Sequence, residues 1–171
     1  RDGFPIFDHY TSVLCGEGDL MEGVSSEAAS YAGLQKLEHL IVLYDSNDIN
    51  LDGETKDAFT ESVRARYDAY GWHTDLVTDG TDVDAIFAAI EKAKAAGKPS
   101  LIEIKTVIGY GSPSKAGSNA AHGAPLGPEE AEATRKALDW NYAPFEIPAE
   151  GDADFKANVA DRGAAAYDAW V

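Results

Sequence analysis

The 171 residues, 44% apolar and 10% aromatic, suffice for one domain with a sizeable core, which excludes an intrinsically disordered protein. Thirty acidic residues against fourteen basic ones give a net charge of −16, which excludes the basic surface of a nucleic-acid-binding protein. No apolar run approaches the roughly 20 residues of a membrane span and no signal peptide is recognisable, so we expect neither a membrane nor a nucleic acid as partner.

The chain starts with a predicted loop and a predicted strand. Residues 1–8 are expected to form the loop, and residues 10–15 are β-branched and apolar, as in a strand buried on both faces. Cys15 ends this strand and is the only cysteine, which excludes an intrachain disulfide and favours the reducing cytoplasm. We expect its thiol to pack in the core as a small apolar group rather than to act as a nucleophile.

A helix and a second strand follow. Asp19, with Glu22 three residues later, resembles a capping box and predicts one helix over residues 20–37. Residues 40–44 form the second predicted strand. The turn-rich residues 50–54 predict an irregular connection after it.

The middle of the chain predicts a short helix and a third strand. Thr60 is expected to cap the helix, Gly71 to end it, and residues 73–78 to form the strand. The apolar residues of this helix recur at i, i+4 and i+7, at Val63, Tyr67 and Tyr70.

A second helix–strand pair comes next. Thr81 is expected to cap an alanine-rich helix over residues 82–96, which Gly97 stops. Residues 100–106 predict a fourth strand, apolar enough to be central in the sheet.

A long loop separates this sheet from the last helices. Residues 108–127 are rich in Gly, Ser, Pro and Asn, and loops of this length in compact domains are usually functional or disordered. Pro128 suits the first position of a helix that runs to about residue 138. A final helix carries four large apolar residues on roughly one face, Phe155, Val159, Tyr167 and Trp170. The alternation of strands and helices predicts the α/β class, with a parallel sheet and helices on both faces.

A candidate metal–diphosphate site lies at the ends of the first two strands. Gly16-Glu17-Gly18 follows the first strand and Asn47 follows the second, 30 residues later. Strand ends at the carboxyl edge of a parallel sheet are where open α/β folds bind ligands, and a glycine turn at a helix start accepts a diphosphate. A carboxylate and an amide oxygen suit a hard divalent cation. Taken alone, the Gly-x-Gly turn is as typical of a tight turn without ligand, and Asn47 of an ordinary turn residue.

Among the histidines, His122 is the candidate for chemistry. It lies in the long loop and is followed by Gly123, where a side chain can reach a ligand. A loop histidine is more often a plain surface residue, although loops carry many binding residues.

Several motifs resemble those of transketolases. The Gly-x-Gly turn with Asn47 resembles the signature of thiamine diphosphate enzymes, and the segments GDLMEGVSSEA and DSNDINLDG around it resemble transketolase in particular. The same is true of YGWH, KPSLIEIKTVIGYGSP, HGAPLG and PFEIP further along, so the likeness covers nearly the whole chain. It implies part of a thiamine diphosphate-binding fold and transfer of a two-carbon ketol unit from a ketose phosphate to an aldose phosphate.

The resemblance also implies roles for individual residues. In the family pattern, Gly18 meets the diphosphate, Glu17 and Asn47 give side-chain ligands to the metal, and Ile49 gives its carbonyl. Leu51 packs near the thiazolium ring. The family has Asp where this chain has Glu17, and the extra methylene would suit Ca²⁺ better than Mg²⁺, which demands near-ideal geometry.

Two further roles follow from the same likeness. His122 would bind the substrate and cofactor and help proton transfer, which makes it the candidate catalytic residue. Glu22 would lie at a homodimer interface, formed through the region of residues 20–37, although it is equally the capping partner of Asp19.

The likeness identifies residues 1–171 as the second half of the family's N-terminal diphosphate-binding domain, without the pyrimidine-binding and C-terminal domains. We therefore expect a chain that is inactive by itself, has an unpaired sheet edge and needs the remainder of a longer protein. The alternative is a catalytically inert truncated module that binds a partner or weakly binds the cofactor. A deoxyxylulose-phosphate synthase fits the HGAPLG and PFEIP motifs less well.

Overall fold

A computed structural model describes residues 7–171. The predicted loop over residues 1–8 falls outside the described residues except at its last two positions. Within the described part, every helix falls short of the length and apolar character needed to cross a membrane.

The centre of the fold is a parallel sheet. Within residues 7–171, the strands in chain order are β1 Thr11–Cys15, β2 Leu40–Ser46, β3 Ile49–Asn50, β4 Gly53–Glu54, β5 His73–Val77 and β6 Ser100–Lys105. The sheet has the order β1-β2-β6-β5 with all pairs parallel, and Leu43 of β2 stands beside Leu14 on one side and Ile102 on the other. The prediction that residues 100–106 form a central strand is confirmed. The short strands β3 and β4 form a separate antiparallel ribbon where sequence reasoning expected an irregular connection.

Helices cover both faces of this sheet. In the described part of the chain they are α1 Glu17–Met21, α2 Gly23–Gln35, α3 Val63–Ala69, α4 Val83–Lys94, α5 Pro128–Ala137, α6 Ala149–Phe155 and α7 Asp161–Trp170. Helices α1, α2 and α3 pack on one face around Val42, Tyr44 and Leu101. Helix α4 packs on the other face, against Ile41 and Ile102. The predicted α/β class with helices on both faces is confirmed.

The single helix predicted over residues 20–37 is wrong. The first helix starts three residues earlier, and the chain breaks at Glu22, whose extended backbone (φ −66°, ψ 127°) separates α1 from α2. Asp19 is not the N-cap; it lies inside α1, and its Oδ2 accepts a hydrogen bond from the Gly16 N–H at 2.8 Å. Glu22 instead precedes α2 and accepts there through its carbonyl, from the amide of Ser25.

Two other predicted caps lie one or two residues early. Ser62, not Thr60, caps α3 by accepting from the Ala65 N–H, and Asp82, not Thr81, caps α4 in the same way. Each of the two caps accepts a hydrogen bond from the third N–H group of its helix. The residue type alone does not show which of several neighbouring polar residues reaches that group. Gly71 does follow the end of α3, with the positive φ of 85° that favours glycine.

Two parts of the described chain expose apolar side chains to solvent. Strand β1 pairs only with β2 among the described residues, and Leu14 on the α4 side of the sheet is 80% exposed. Residues 149–171 run through α6, a π-helical turn and α7 with every side chain exposed, so their apolar face is not buried by the rest of the described chain.

Candidate functional site

The Glu17 carboxylate contacts the turn that follows β2. Because Cys15 stands beside Tyr44 in the parallel pair β1–β2, the residues just beyond the two strand ends lie next to each other. Glu17 is only 2% exposed, and its Oε1 accepts hydrogen bonds from the backbone N–H groups of Asn47 at 2.7 Å and Asp48 at 2.8 Å. The Glu17 side chain, one methylene longer than the aspartate of the family pattern, therefore spans the gap between the strands and bonds to the turn directly.

Asn47 has its side chain turned back along its own chain. Its Oδ1 accepts from the Ile49 N–H at 3.0 Å, and its Nδ2 donates to Asp45 at 3.3 Å. Asp48, between Asn47 and Ile49 in the chain, has a positive φ of 64°, a conformation that Asp and Asn adopt more readily than most residues. The sequence had indicated Asn47 and Ile49 as site residues, but not the turn that they build together.

The oxygens at this turn could hold a cation. Both backbone hydrogen bonds go to Oε1 of Glu17, so Oε2 is the carboxylate oxygen left for a metal, together with Asn47 Oδ1 and the Ile49 carbonyl. Within residues 7–171 no group of three or more His, Cys, Asp and Glu side chains could bind a metal, so a cation here would need amide and backbone oxygens in addition to the Glu17 carboxylate. Burial raises the pKa of Glu17, and the hydrogen bonds from the turn oppose that rise.

A cavity of about 470 Å³, which we call the His122 cavity, brings together four residues that the sequence analysis singled out. Its lining includes Gly18 from the first turn of α1, Glu22 from the break between α1 and α2, Leu51 from the ribbon turn, and His122 from the long loop. Leu51 is 64% exposed, so an apolar surface is open to a ligand there. A Cβ added at Gly18 would meet no atom within 4 Å, which leaves open space beside its backbone.

His122 follows a short 3₁₀ turn, Asn119–Ala121, in the loop after β6. Its Nδ1 is buried and has no hydrogen-bond partner among the described residues. A buried ring nitrogen without a partner is costly, so the imidazole of His122 has one hydrogen-bonding atom that the described chain does not satisfy.

A second cavity of about 390 Å³, which we call the Asn47 cavity, lies beside the oxygens that could hold a cation. It is lined by Asn47 and Ile49 from the turn, Glu54 and Lys56 from the ribbon side, and Gly117 from the long loop. Of these, sequence reasoning missed Glu54, Lys56 and Gly117. The ribbon places Glu54 and Lys56, and the long loop places Gly117; beyond the richness in turn residues, no sequence signal indicated them.

Sequence reasoning also missed a charged cluster beside the turn. Lys105 donates to Ser46 Oγ at 2.8 Å and lies 3.1 Å from Glu103, which Arg64 also contacts at 2.9 Å. Burial opposes ionisation of Glu103, but the bonds from Lys105, Arg64 and Ser46 outweigh it and lower its pKa. Charged residues within the predicted central strand 100–106 were the available signal, because such residues are rarely buried without partners.

Comparison with known proteins supports the resemblance. The family model described as transketolase, thiamine diphosphate binding domain, matches residues 1–171. A probable transketolase of Streptococcus pneumoniae is 75% identical over all of this chain, and a transketolase of Halalkalibacterium halodurans is 54% identical over 99% of it. The chain spans 26% of the length of each of these relatives.

Solved structures show the same relationship. The transketolase of Leishmania mexicana superimposes with a TM-score of 0.91 at 43% identity, over 99% of this chain and 26% of that one. A Pichia stipitis transketolase in complex with sedoheptulose 7-phosphate gives 0.89 at 45% identity, over 96% of this chain and 25% of that one. The family model, the sequence relatives and the solved structures agree, and the chain belongs to the transketolase family, where it matches the thiamine diphosphate binding domain.

Proposed function

We propose that this chain supplies the metal–diphosphate side of a transketolase active site, which transfers a two-carbon ketol unit from a ketose phosphate to an aldose phosphate. The observation that carries this proposal is the His122 cavity, where Gly18, Leu51 and His122 converge from three separate segments. Because the chain spans about a quarter of its relatives, the activity belongs to a longer protein and the isolated chain is expected to be inactive.

Each residue of the cavity has a physical task in this proposal. The backbone of Gly18, at the start of α1 and with open space beside it, receives the diphosphate. Leu51 offers an apolar surface to the thiazolium ring, and His122 hydrogen-bonds the substrate and moves a proton at its imidazole. Thiamine diphosphate supplies the electron sink for breaking the carbon–carbon bond, and the protein orients it.

A divalent cation, Mg²⁺ or Ca²⁺, is the proposed bridge to the diphosphate. Its ligands would be Glu17 through Oε2, Asn47 through Oδ1 and Ile49 through its carbonyl, and these hard oxygens suit either ion. The buried Glu17 carboxylate would also gain a compensating positive charge, which removes part of its desolvation cost.

The same proposal includes a homodimer and the remaining domains of a longer chain. Helix α2 buries Ala29 and Ala32 against the sheet, yet its opposite side exposes Val24, Tyr31 and Leu34, the last by 73%. A helix that is apolar on both sides belongs in a protein interior or an interface. We assign this face, with Glu22 beside it, to the dimer contact, and the open side of β1 around Leu14 to the rest of the diphosphate-binding domain.

The pyrimidine-binding and C-terminal domains would come from other parts of the longer protein, so residues 1–171 are a partial domain. The cytoplasmic location expected from the single cysteine is part of the same proposal.

A chimera tests the function directly. Residues 1–171 would replace the matching segment of the Streptococcus pneumoniae relative, and ketol transfer would be measured with thiamine diphosphate and Mg²⁺ or Ca²⁺. We expect transfer that stops when the metal is chelated, and a loss of about 10²- to 10⁴-fold in kcat in His122→Ala. His9→Ala, an exposed histidine outside both cavities, is the control and should leave the rate unchanged.

Four outcomes would contradict parts of the proposal. A folded chimera without ketol transfer refutes the function, and a full rate in His122→Ala refutes the role of that residue. Sedimentation of the chimera as a monomer refutes the dimer. If the chimera and the isolated chain both fail to bind the cofactor, and Glu17→Asp restores binding, the inert truncated module is the better description.

A further inference from the structure

The loop that carries His122 needs support from outside itself. Residues 106–127 have no regular structure apart from the 3₁₀ turn, yet the proposed role of His122 requires a fixed position over the His122 cavity. Backbone hydrogen bonds within the loop are few and local, with the exception of Gly117 N–H to the Ile108 carbonyl at 2.8 Å. Two charged side chains provide further contacts.

The first of these is Glu130, in the first turn of α5. Its Oε1 accepts from the Ser114 N–H at 2.8 Å and from the Ser112 hydroxyl. Ser112 is only 4% exposed, and its Oγ accepts in turn from the Lys115 N–H at 3.2 Å. One carboxylate oxygen therefore fixes the loop segment from Ser112 to Lys115 against the start of a helix.

The second is Lys115 itself. Its Nζ donates to the carbonyls of Leu126 at 3.0 Å and Pro125 at 3.3 Å. These carbonyls lie three and four residues after His122, so the lysine connects the early part of the loop to the segment just beyond the histidine. Because Glu130 holds the backbone of this same lysine through Ser112, the two contacts form one connected series.

Close packing fixes the other side of His122. Gly109 has a positive φ of 66°, and a Cβ added there would lie 2.8 Å from the Cβ of Ala121, the residue immediately before His122. The histidine is thus placed between a tight backbone contact on its N-terminal side and the lysine contact on its C-terminal side.

We propose that Glu130 and Lys115 are positioning residues for His122, which hold the loop so that the imidazole stays over the His122 cavity. This role rests on the proposed function of His122. Neither side chain lines the cavity, so each acts through the loop and not on a ligand. A displacement of about 1 Å in a catalytic group can lower a rate by about 10²-fold, so loosening this loop should affect turnover.

The test uses the same chimera with Glu130→Gln, and Glu129→Gln as the matched control. Both substitutions remove one negative charge from the first turn of α5, but Glu129 is exposed and makes no hydrogen bond to the loop among the described residues. We expect Glu130→Gln to lower kcat by about tenfold or more, and by a larger factor than it raises KM for the ketose phosphate, because the displaced imidazole of His122 loses its alignment for proton transfer. Hydrogen exchange across residues 108–127 should become faster in the same variant and stay unchanged in the control.

Lys115 gives a second, independent arm. Lys115→Met removes the donor while keeping a side chain of similar length, and Lys115→Arg keeps a donor and should recover part of the lost kcat. This arm carries the test if Glu130→Gln does not fold.

The outcomes separate this inference from the proposed function. An inactive parent chimera refutes the function and the positioning role with it. An active parent in which Glu130→Gln matches Glu129→Gln in kcat and in hydrogen exchange, or in which Lys115→Met keeps the parent's kcat, overturns the positioning role alone. A larger loss of kcat in Glu130→Gln than in Glu129→Gln, together with partial recovery in Lys115→Arg, supports it.

Discussion

Shortening Glu17 to the aspartate found in the family pattern should destabilise the metal-free chain. The carboxylate would retreat by one carbon–carbon bond, about 1.5 Å. The distances from Oε1 to the amides of Asn47 and Asp48, now 2.7 and 2.8 Å, would grow to about 4 Å, beyond hydrogen-bonding range. A hydrogen bond to a charged group contributes about 1.5–3 kcal/mol, but Asp48 is exposed and water can replace its bond. We therefore expect Glu17→Asp to lower the free energy of unfolding by about 1–3 kcal/mol.

Glu17→Gln separates the two roles of this side chain. The amide keeps an oxygen at the same reach, so the hydrogen bonds to the turn persist in weaker form and the metal-free chain should lose only about 1 kcal/mol. With Mg²⁺ and thiamine diphosphate present, the Glu17→Asp variant should become the more stable of the two, because aspartate keeps an anionic ligand for the cation and glutamine does not.

The assay is urea unfolding of residues 1–171, followed by tryptophan fluorescence, without metal and then with the cofactor and metal added. Glu27→Asp, which makes the same chemical change on the exposed side of α2, is the control and should cost less than about 0.5 kcal/mol. The reasoning is refuted if, without metal, the Glu17→Asp variant is as stable as the Glu17→Gln variant or more stable.

Three further predictions concern packing and protonation. Gly33→Ala should lower the free energy of unfolding, measured by urea denaturation, by about 1–3 kcal/mol or more, because the new Cβ would lie 1.9 Å from the Tyr70 carbonyl oxygen. Gly23→Ala is the control: its new Cβ meets no atom within 4 Å, so the stability should not change. Burial raises the pKa of Cys15 to about 12, so its alkylation at pH 8 should be far slower than that of a free thiol and should recover in urea. Hydrogen bonds from Ser112 and the loop backbone lower the pKa of Glu130 from 4.5 to about 2, so the loop contacts should be complete above pH 4.5 and disappear as the pH falls towards 2, as measured by amide exchange. Equal protection of the loop amides at pH 4.5 and at about pH 2, each corrected for the intrinsic exchange rate at that pH, would contradict this last prediction.

Local chemistry explains why the main elements were predictable. The parallel strands are short apolar runs with charged or turn residues at their ends, and buried residues such as Ile41 and Leu101 follow from that pattern alone. The start of α5 was predictable as well, because Pro128 fixes a helical φ where the missing N–H costs nothing.

The helix caps show where local patterns fail. Asp19, Thr60 and Thr81 all have the right side chain for an N-cap, but the neighbouring backbone decides which residue reaches the third N–H. The break at Glu22 is likewise not indicated by the helix propensities of its neighbours, and only the extended backbone of the folded chain shows it.

The sequence by itself determined the order of the four parallel strands and of the main helices, and it indicated the two strand ends of the candidate site with the candidates Gly18, Asn47 and His122. Only the tertiary structure decided that Glu17 bonds to the turn after β2, and that Glu130 and Lys115 hold the loop of His122. The physical reason is one of range. Strand and helix patterns arise from residues within a few positions of one another, whereas these contacts join residues 10 to 31 positions apart, whose distance is fixed only when the sheet and the loop are packed.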